Sequence, residues 1–358
     1  MTTRWKFISR RSDRRMARTE TTGVHPGVHH GGDLASAKRR FHLPDADWLD
    51  LSTGINPVSY PFTPPSEAAW ARLPDSAVDE RLRKAAAACY GAPSADCVVP
   101  APGSQALIQL LPHLRDRSNV AVLGPTYGEH QARWVACGHA VTVVESPDSL
   151  SERFDVVVVG NPNNPDGRII ARARLIELSR ALAARGGWLV VDEAFADLDP
   201  ALSLAPDVSD SGLIVLRSFG KFFGLAGLRL GFALAALALA ARIADGLGPW
   251  AVSGPAAEIG AAALADSTWI AETRAGLAAR AARLDASFGR AGLNVVGGTA
   301  LFRLVETPNA RALHDHLGRH AIHVRDFPDR ADRLRFAVPA TEAAFARLAN
   351  ALSEPRAA

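Results

Sequence analysis

Between about residues 97 and 240 the chain alternates two patterns, and this alternation limits the fold more than any other feature. Seven short apolar runs (97–100, 120–123, 140–144, 154–159, 188–191, 213–217 and 230–234) are separated by stretches with helical periodicity or turn chemistry. Most of these runs close on a polar or glycine-rich motif. Strands that alternate with helices predict a mostly parallel sheet covered by helices on both faces. In such sheets ligands bind beyond the carboxyl ends of the strands, which is where the motifs fall. Helices are expected over 77–90, closed by Gly91, over 105–114, near 129–137 and over 171–185. Residues 19–65 are rich in Gly, Pro and His and read as irregular. A helix-rich stretch, 254–290, leads into an α+β segment with strands expected at 301–304, 323–324 and 333–337.

Charge is unevenly placed. Residues 1–18 hold seven basic side chains and one acid, Asp13, against a total of +3, so the remainder is close to −3. A body of that sign is not a nucleic-acid surface, and the basic stretch lacks the apolar centre of a secretory signal. It reads as a disordered tail over 1–20. The charge-free run between Arg229 and Arg242 is 12 residues long, short of the roughly 20 that span a bilayer. No membrane segment is expected. Three cysteines, Cys89, Cys97 and Cys137, have neither a paired framework nor metal spacing. A reducing, cytoplasmic setting follows, with no structural metal.

The chemistry-bearing residues follow the strands. Lys221 lies in Ser218-Phe219-Gly220-Lys221, with Arg229 eight positions on. Alone it reads as a solvated loop lysine. An imine-forming lysine needs burial and neighbouring positive charge, which the flanking phenylalanines and Arg217 or Arg229 would supply. Asp192 ends the run 188–191, either as a helix cap or as a partner for a pyridinium nitrogen. Gly160-Asn161-Pro162-Asn163-Asn164-Pro165-Asp166-Gly167 is a rigid turn whose Asn side chains can donate to an oxygen. Pro102-Gly103-Ser104-Gln105 opens a helix whose free N–H groups suit a phosphate. Tyr127 is either a core aromatic or a stacking ring.

Taken together, these motifs resemble the fold-type I, aspartate-aminotransferase-like family of pyridoxal-phosphate enzymes, over roughly residues 25–345. The resemblance implies a large cofactor-binding domain (56–250) with a mostly parallel seven-stranded sheet. It also implies a smaller α+β domain built from an N-terminal arm (21–55) and residues 251–358, and a homodimer. Lys221 would hold pyridoxal 5'-phosphate covalently, and Asp192 would pair with its ring nitrogen. Asn164 would contact its phenolic oxygen and Tyr127 its ring. Gly103, Ser104, Gln105, Ser218 and Arg229 would surround its phosphate. Arg335, in Leu334-Arg335-Phe336, would take the substrate carboxylate.

Within that family, His30-Gly31-Gly32-Asp33, Leu51-Ser52-Thr53-Gly54-Ile55-Asn56-Pro57 and Asp192-Glu193-Ala194-Phe195-Ala196-Asp197 are similar to threonine-phosphate decarboxylases of cobalamin biosynthesis. That likeness implies decarboxylation of L-threonine O-3-phosphate, with His30, Asn56 and Arg325 near the substrate. The alternatives are a loop histidine for His30 and a surface ion pair for Arg325. Histidinol-phosphate-type aminotransferases share nearly every cofactor residue and are the competing reading. Two positions depart from the common pattern. Phe195 stands where many relatives have a tyrosine, and Leu73-Pro74-Asp75 replaces a Tyr-Pro-Asp motif that reaches a neighbouring subunit, a contact that is either lost or supplied elsewhere, with Tyr60 as the candidate.

Overall fold

The computed structural model describes residues 30–150, 153–209 and 212–354. The tail expected over 1–20 lies outside them. Twelve strands form two sheets. In chain order they are β1 (Leu49–Leu51), β2 (Val98–Ala101), β3 (Asn119–Leu123), β4 (Ala140–Val144), β5 (Val156–Gly160), β6 (Trp188–Asp192), β7 (Leu213–Ser218), β8 (Gly231–Ala235), β9 (Asn294–Thr299), β10 (Phe302–Glu306), β11 (Ile322–Asp326) and β12 (Arg333–Ala337). The larger sheet has seven strands in the order β2-β8-β7-β6-β5-β3-β4, and the smaller has five in the order β1-β11-β12-β10-β9.

Apart from its exposed edge strand β4, the larger sheet is buried on both faces, which explains its near-continuous apolar runs. Val156 and Val158 of β5 pack on one face with Val190, Ile214 and Trp134. Val157 and Val159 pack on the other with Val191, Val215 and Phe232. Strands β3 to β7 pair in parallel, while β8 runs antiparallel to both β7 and β2. That reversal matters for the site. Gly231, the first residue of β8, pairs with Ser218 at the end of β7 and with Ala101 at the end of β2. Arg229, just before it, therefore emerges at the same edge as Ser218 and Gly103.

Several local expectations shift by a few residues. The helix Ser76–Tyr90 is capped by the Asp75 carboxylate, which accepts from Ala77 and Val78 N–H, and closes at Gly91 with φ 73°. The helix after Gly103 is α only over Ser104–Leu110 and tightens to a 3-10 turn at Leu111–Leu114, where Pro112 cannot donate. Residues 19–65 are not wholly irregular. Leu34–Phe41 is a helix capped by Asp33, and β1 pairs in parallel with β11. So short a strand shows no periodicity. It forms because Ile322–Val324, some 270 positions on, offers it a ladder. The sequence places the domain boundary at 250/251. In the structure the helix Gly254–Ala265 packs on Ser76–Tyr90, and the next helix, Ser267–Arg290, reaches β9 and β10. Among the described residues no helix is long and apolar enough to cross a membrane.

Candidate active site

A cavity of about 1060 Å³ opens at the carboxyl edge of the larger sheet, between it and the smaller sheet. The residues that follow β2, β3, β5, β6 and β7 all line it, together with Arg325 and Arg335 from the smaller sheet. Of the residues singled out from the sequence, His30, Gly103, Ser104, Gln105, Tyr127, Asn164, Asp192, Ser218, Lys221, Arg229, Arg325 and Arg335 lie on this one wall.

Asn56 is the exception. It is 3 % exposed and does not line the cavity. Its amide nitrogen donates to the Phe222 carbonyl at 2.9 Å and its side-chain oxygen accepts from Val58 N–H. Its backbone N–H donates to the Lys221 carbonyl at 2.8 Å. Through these three bonds Asn56 braces the turn that carries Lys221. Tyr60 likewise lies away from the cavity, its hydroxyl 3.4 Å from Asp266 and its ring edge-on to Trp269.

Lys221 sits in the short helix Phe219–Phe222, between fully buried Phe219 and Phe222. Burial pushes its amine down from the usual lysine range to about 8, helped by Arg335 and Arg229 and opposed by Asp192. Arg217 is not part of that field, contrary to one reading of the sequence. It is buried and turned toward Glu193 (2.9 Å) and Asp197 (2.5 Å), its guanidinium over the Tyr90 ring. Thus Glu193 and Asp197 neutralise Arg217 and tie the segments after β6 to β7.

Asp192 ends β6, one oxygen accepting from Ala194 N–H and the other 2.8 Å from His130 Nε2. His130 is 2 % exposed, so a buried donor holds this carboxylate in place. The asparagine turn resolves into three roles. Asn161 accepts from Ile170 N–H. Asn163 donates to the Pro125 carbonyl and Asp166 while accepting from Thr126. Only Asn164 faces the cavity, where it accepts from Arg335.

Gly103 has φ 82°, and a Cβ there would lie 2.6 Å from Nη2 of Arg229. The bare backbone leaves room for that guanidinium beside Ser104, Gln105 and Ser218. Gly103→Ala puts a side chain on a backbone conformation (φ 82°, ψ 154°) essentially reserved for glycine, costing about 1–3 kcal/mol, and displaces Arg229. An absorbance titration should then show cofactor affinity lowered by about tenfold; unchanged affinity would place the phosphate cup elsewhere.

Glu129 and His130 were not assigned a role from the sequence. Both are buried at the start of the helix Gly128–Ala136. Glu129 receives His30 Nε2 at 3.1 Å on one oxygen and Gln105 Nε2 at 3.0 Å on the other. Gln105 in turn accepts from the Tyr127 hydroxyl at 3.1 Å. Burial raises the Tyr127 phenol well above its ordinary range, so it stays a donor. The available signal was two polar residues directly after an aromatic turn at a helix start, a position that also suits a plain cap.

Arg325 and Arg335 are directly paired across β11 and β12. Arg335 is 7 % exposed; it donates to Asn164 and to the Ser52 carbonyl (3.1 Å), and its Nε has no partner among the described residues. Burial and the Arg325 guanidinium push Arg335 down to about 9, still charged near neutral pH. Burial also lowers Arg325. Buried Arg335 beside half-buried Arg325, with His30 lining the same cavity, makes the cavity a site for anions. A Cβ on Gly31 would lie 2.4 Å from the Ser52 carbonyl oxygen. That close approach is what aims His30 inward.

The family described as aminotransferase class I and II matches residues 64–352. The chain belongs to that family. A protein of Pseudomonas aeruginosa named threonine-phosphate decarboxylase is 47 % identical over 91 % of this chain and 97 % of its own length. One of the same name from Sinorhizobium sp. is 47 % identical over 91 % and 98 %. Among solved structures, histidinol-phosphate aminotransferase from Sinorhizobium meliloti, in complex with pyridoxal-5'-phosphate, superposes with TM-score 0.77 at 21 % identity, covering 94 % of this chain and 97 % of that one. L-Threonine-O-3-phosphate decarboxylase from Porphyromonas gingivalis gives 0.71 at 18 %, covering 85 % and 98 %. At those identities the structures establish the fold alone, which is the fold-type I architecture expected from the sequence.

Proposed function

We propose that this protein is a pyridoxal 5'-phosphate-dependent carboxy-lyase. It converts L-threonine O-3-phosphate to (R)-1-aminopropan-2-yl phosphate and carbon dioxide in cobalamin biosynthesis. The observation that carries the reading is that Arg335 and Arg325, paired across β11 and β12, line one cavity with His30, which suits a substrate bearing two anionic groups. The two relatives at 47 % identity support it, both named threonine-phosphate decarboxylase.

The residues fit the cofactor. Lys221, with its lowered amine, would hold it covalently. The Gly103–Gln105 segment, Ser218 and Arg229 would take its phosphate, Tyr127 its ring face, Asn164 its phenolic oxygen and Asp192 its ring nitrogen. When bound, it supplies a conjugated ring that accepts the electron pair of the bond broken at the substrate Cα. The chain does the rest by orientation. Arg335 holds the carboxylate, while His30 and Arg325 hold the remote phosphate. Binding energy at the phosphate would be spent on orienting the substrate between Arg335 and that anchor. Lys221 Nζ would carry the proton that replaces the lost carboxylate. Phe195 is 4 % exposed against Phe302 and offers no hydrogen bond of its own.

Arg335→Lys keeps the charge and loses the fork. It is expected to lower kcat/KM for threonine phosphate by about 30-fold, equivalent to about 2 kcal/mol, with the cofactor spectrum unchanged. Steady-state kinetics would show it.

The deciding assay incubates purified protein and cofactor with L-threonine O-3-phosphate, scoring carbon dioxide and aminopropanol phosphate. Amino transfer from histidinol phosphate to 2-oxoglutarate, without decarboxylation, would overturn the assignment. Relatives of that second activity match less closely, 34 % for one from Mycobacterium bovis. The protein is proposed to act as a cytoplasmic homodimer. Trp70 and Leu73, 70 % and 65 % exposed, offer apolar surface for a second copy. The unpaired Cys89, Cys97 and Cys137 fit a reducing compartment.

A further inference from the structure

In the small domain the helix Ala310–Arg319 packs beside the last helix, Glu342–Ser353. Their carboxyl ends bring together three ligating side chains, none of which lines the cavity. His316 and His320 are four positions apart, so they share one face of the helix end, with ring centroids 4.5 Å apart. Glu354 caps the last helix. One nitrogen of each ring and a Glu354 oxygen all lie within 4.8 Å of one another.

Hydrogen bonds on the far side of each ring decide which nitrogen is left over. His316 Nε2 contacts the Ala351 carbonyl at 2.7 Å, and His320 Nδ1 contacts the His316 carbonyl at 2.9 Å. A carbonyl oxygen only accepts, so these two nitrogens carry protons. In the neutral rings the lone pairs therefore sit on His316 Nδ1 and His320 Nε2. His320 Nε2 is 2.8 Å from the Glu354 carboxylate. Backbone carbonyls that fix tautomer and ring angle are the outer partners that ligating histidines use.

We propose that His316 Nδ1, His320 Nε2 and the Glu354 carboxylate form a binding site for a divalent transition metal ion of the zinc class, with water in the fourth position. Imidazole nitrogens favour such ions over magnesium or calcium, and three protein ligands with one open position is an established zinc arrangement. The ion fastens the end of the last helix to Ala310–Arg319. Without it, His320 and Glu354 form a partly exposed hydrogen-bonded contact, which contributes little by itself. Cysteine spacing excluded a structural metal in the sequence; this site uses none.

The test uses chelator-treated holoenzyme, zinc chloride as the probe, and isothermal titration with metal analysis after dialysis. Wild type is expected to retain one equivalent per chain and to melt at a higher temperature with zinc than without. His320→Ala and Glu354→Ala change partly exposed side chains, and each is expected to lose that equivalent and the thermal shift while keeping the holoenzyme spectrum. A wild type that binds no zinc overturns the proposal. So does an equivalent retained in the His320→Ala/Glu354→Ala double variant, which would place the ion elsewhere, for example at the Cys137–His113 contact. Neither readout depends on the catalytic assignment.

Discussion

Lys221→Ala is expected to abolish covalent capture of the cofactor and to lower turnover by at least about 10²- to 10⁴-fold, the range for loss of a positioned acid–base group alone. Gel filtration followed by an absorbance spectrum reads the first effect, and carbon dioxide release reads the second. The fold should survive, because the variant removes a buried amine whose charge is penalised. The sign of the pH dependence follows from the amine's fall to about 8. Only the neutral amine attacks a carbonyl, so capture by the apo protein should speed up about tenfold per pH unit below that value and level off above it. Stability moves the same way. From about 8 up to the ordinary lysine range, the unfolded chain keeps a proton that the folded chain has released, so apo stability rises with pH there. The part of that rise due to Lys221 should be missing in Lys221→Ala. A variant that still captures cofactor, or a wild-type rate flat from pH 6 to 9, would remove Lys221 from its assigned place.

Asp192→Asn should separate binding from chemistry. Lys221 is untouched, so the cofactor is still captured. The carboxylate proposed to pair with the ring nitrogen loses its charge, and kcat is expected to fall by about 10²- to 10³-fold, as when a preorganised electrostatic partner is removed. His130 donates to the same carboxylate from a buried position, so His130→Ala should move kcat in the same direction by less, since Asp192 keeps its charge but loses one hydrogen bond. Rapid-mixing spectroscopy with threonine phosphate would test both. Equal kcat in Asp192→Asn and wild type would mean that Asp192 serves only as a cap.

The strand-end motifs made much of this legible in advance. Each of Asp192, Asn164 and Lys221 follows an apolar run that can only be an inner strand, so chain order alone brought them to one edge. The small-domain contribution was harder. Arg325 and Arg335 are adjacent because β11 and β12 pair, and Ser52 reaches Arg335 because a three-residue β1 pairs with β11. No local pattern encodes pairings between segments this far apart. Asn56 misled for the converse reason. It follows a motif shared with the site, but its amide turns inward to brace the Lys221 turn.

The sequence by itself determined the parallel core and the sheet edge at which Asp192, Asn164 and Lys221 gather, because periodicity and turn chemistry act over a few residues. Only the tertiary structure decided how Asn161 and Asn163 are committed and that Arg217 is neutralised by Glu193 and Asp197. It alone revealed the buried Glu129 and His130 behind His30 and Asp192. Those outcomes depend on which polar groups find partners once water is excluded, and the partners come from distant parts of the chain.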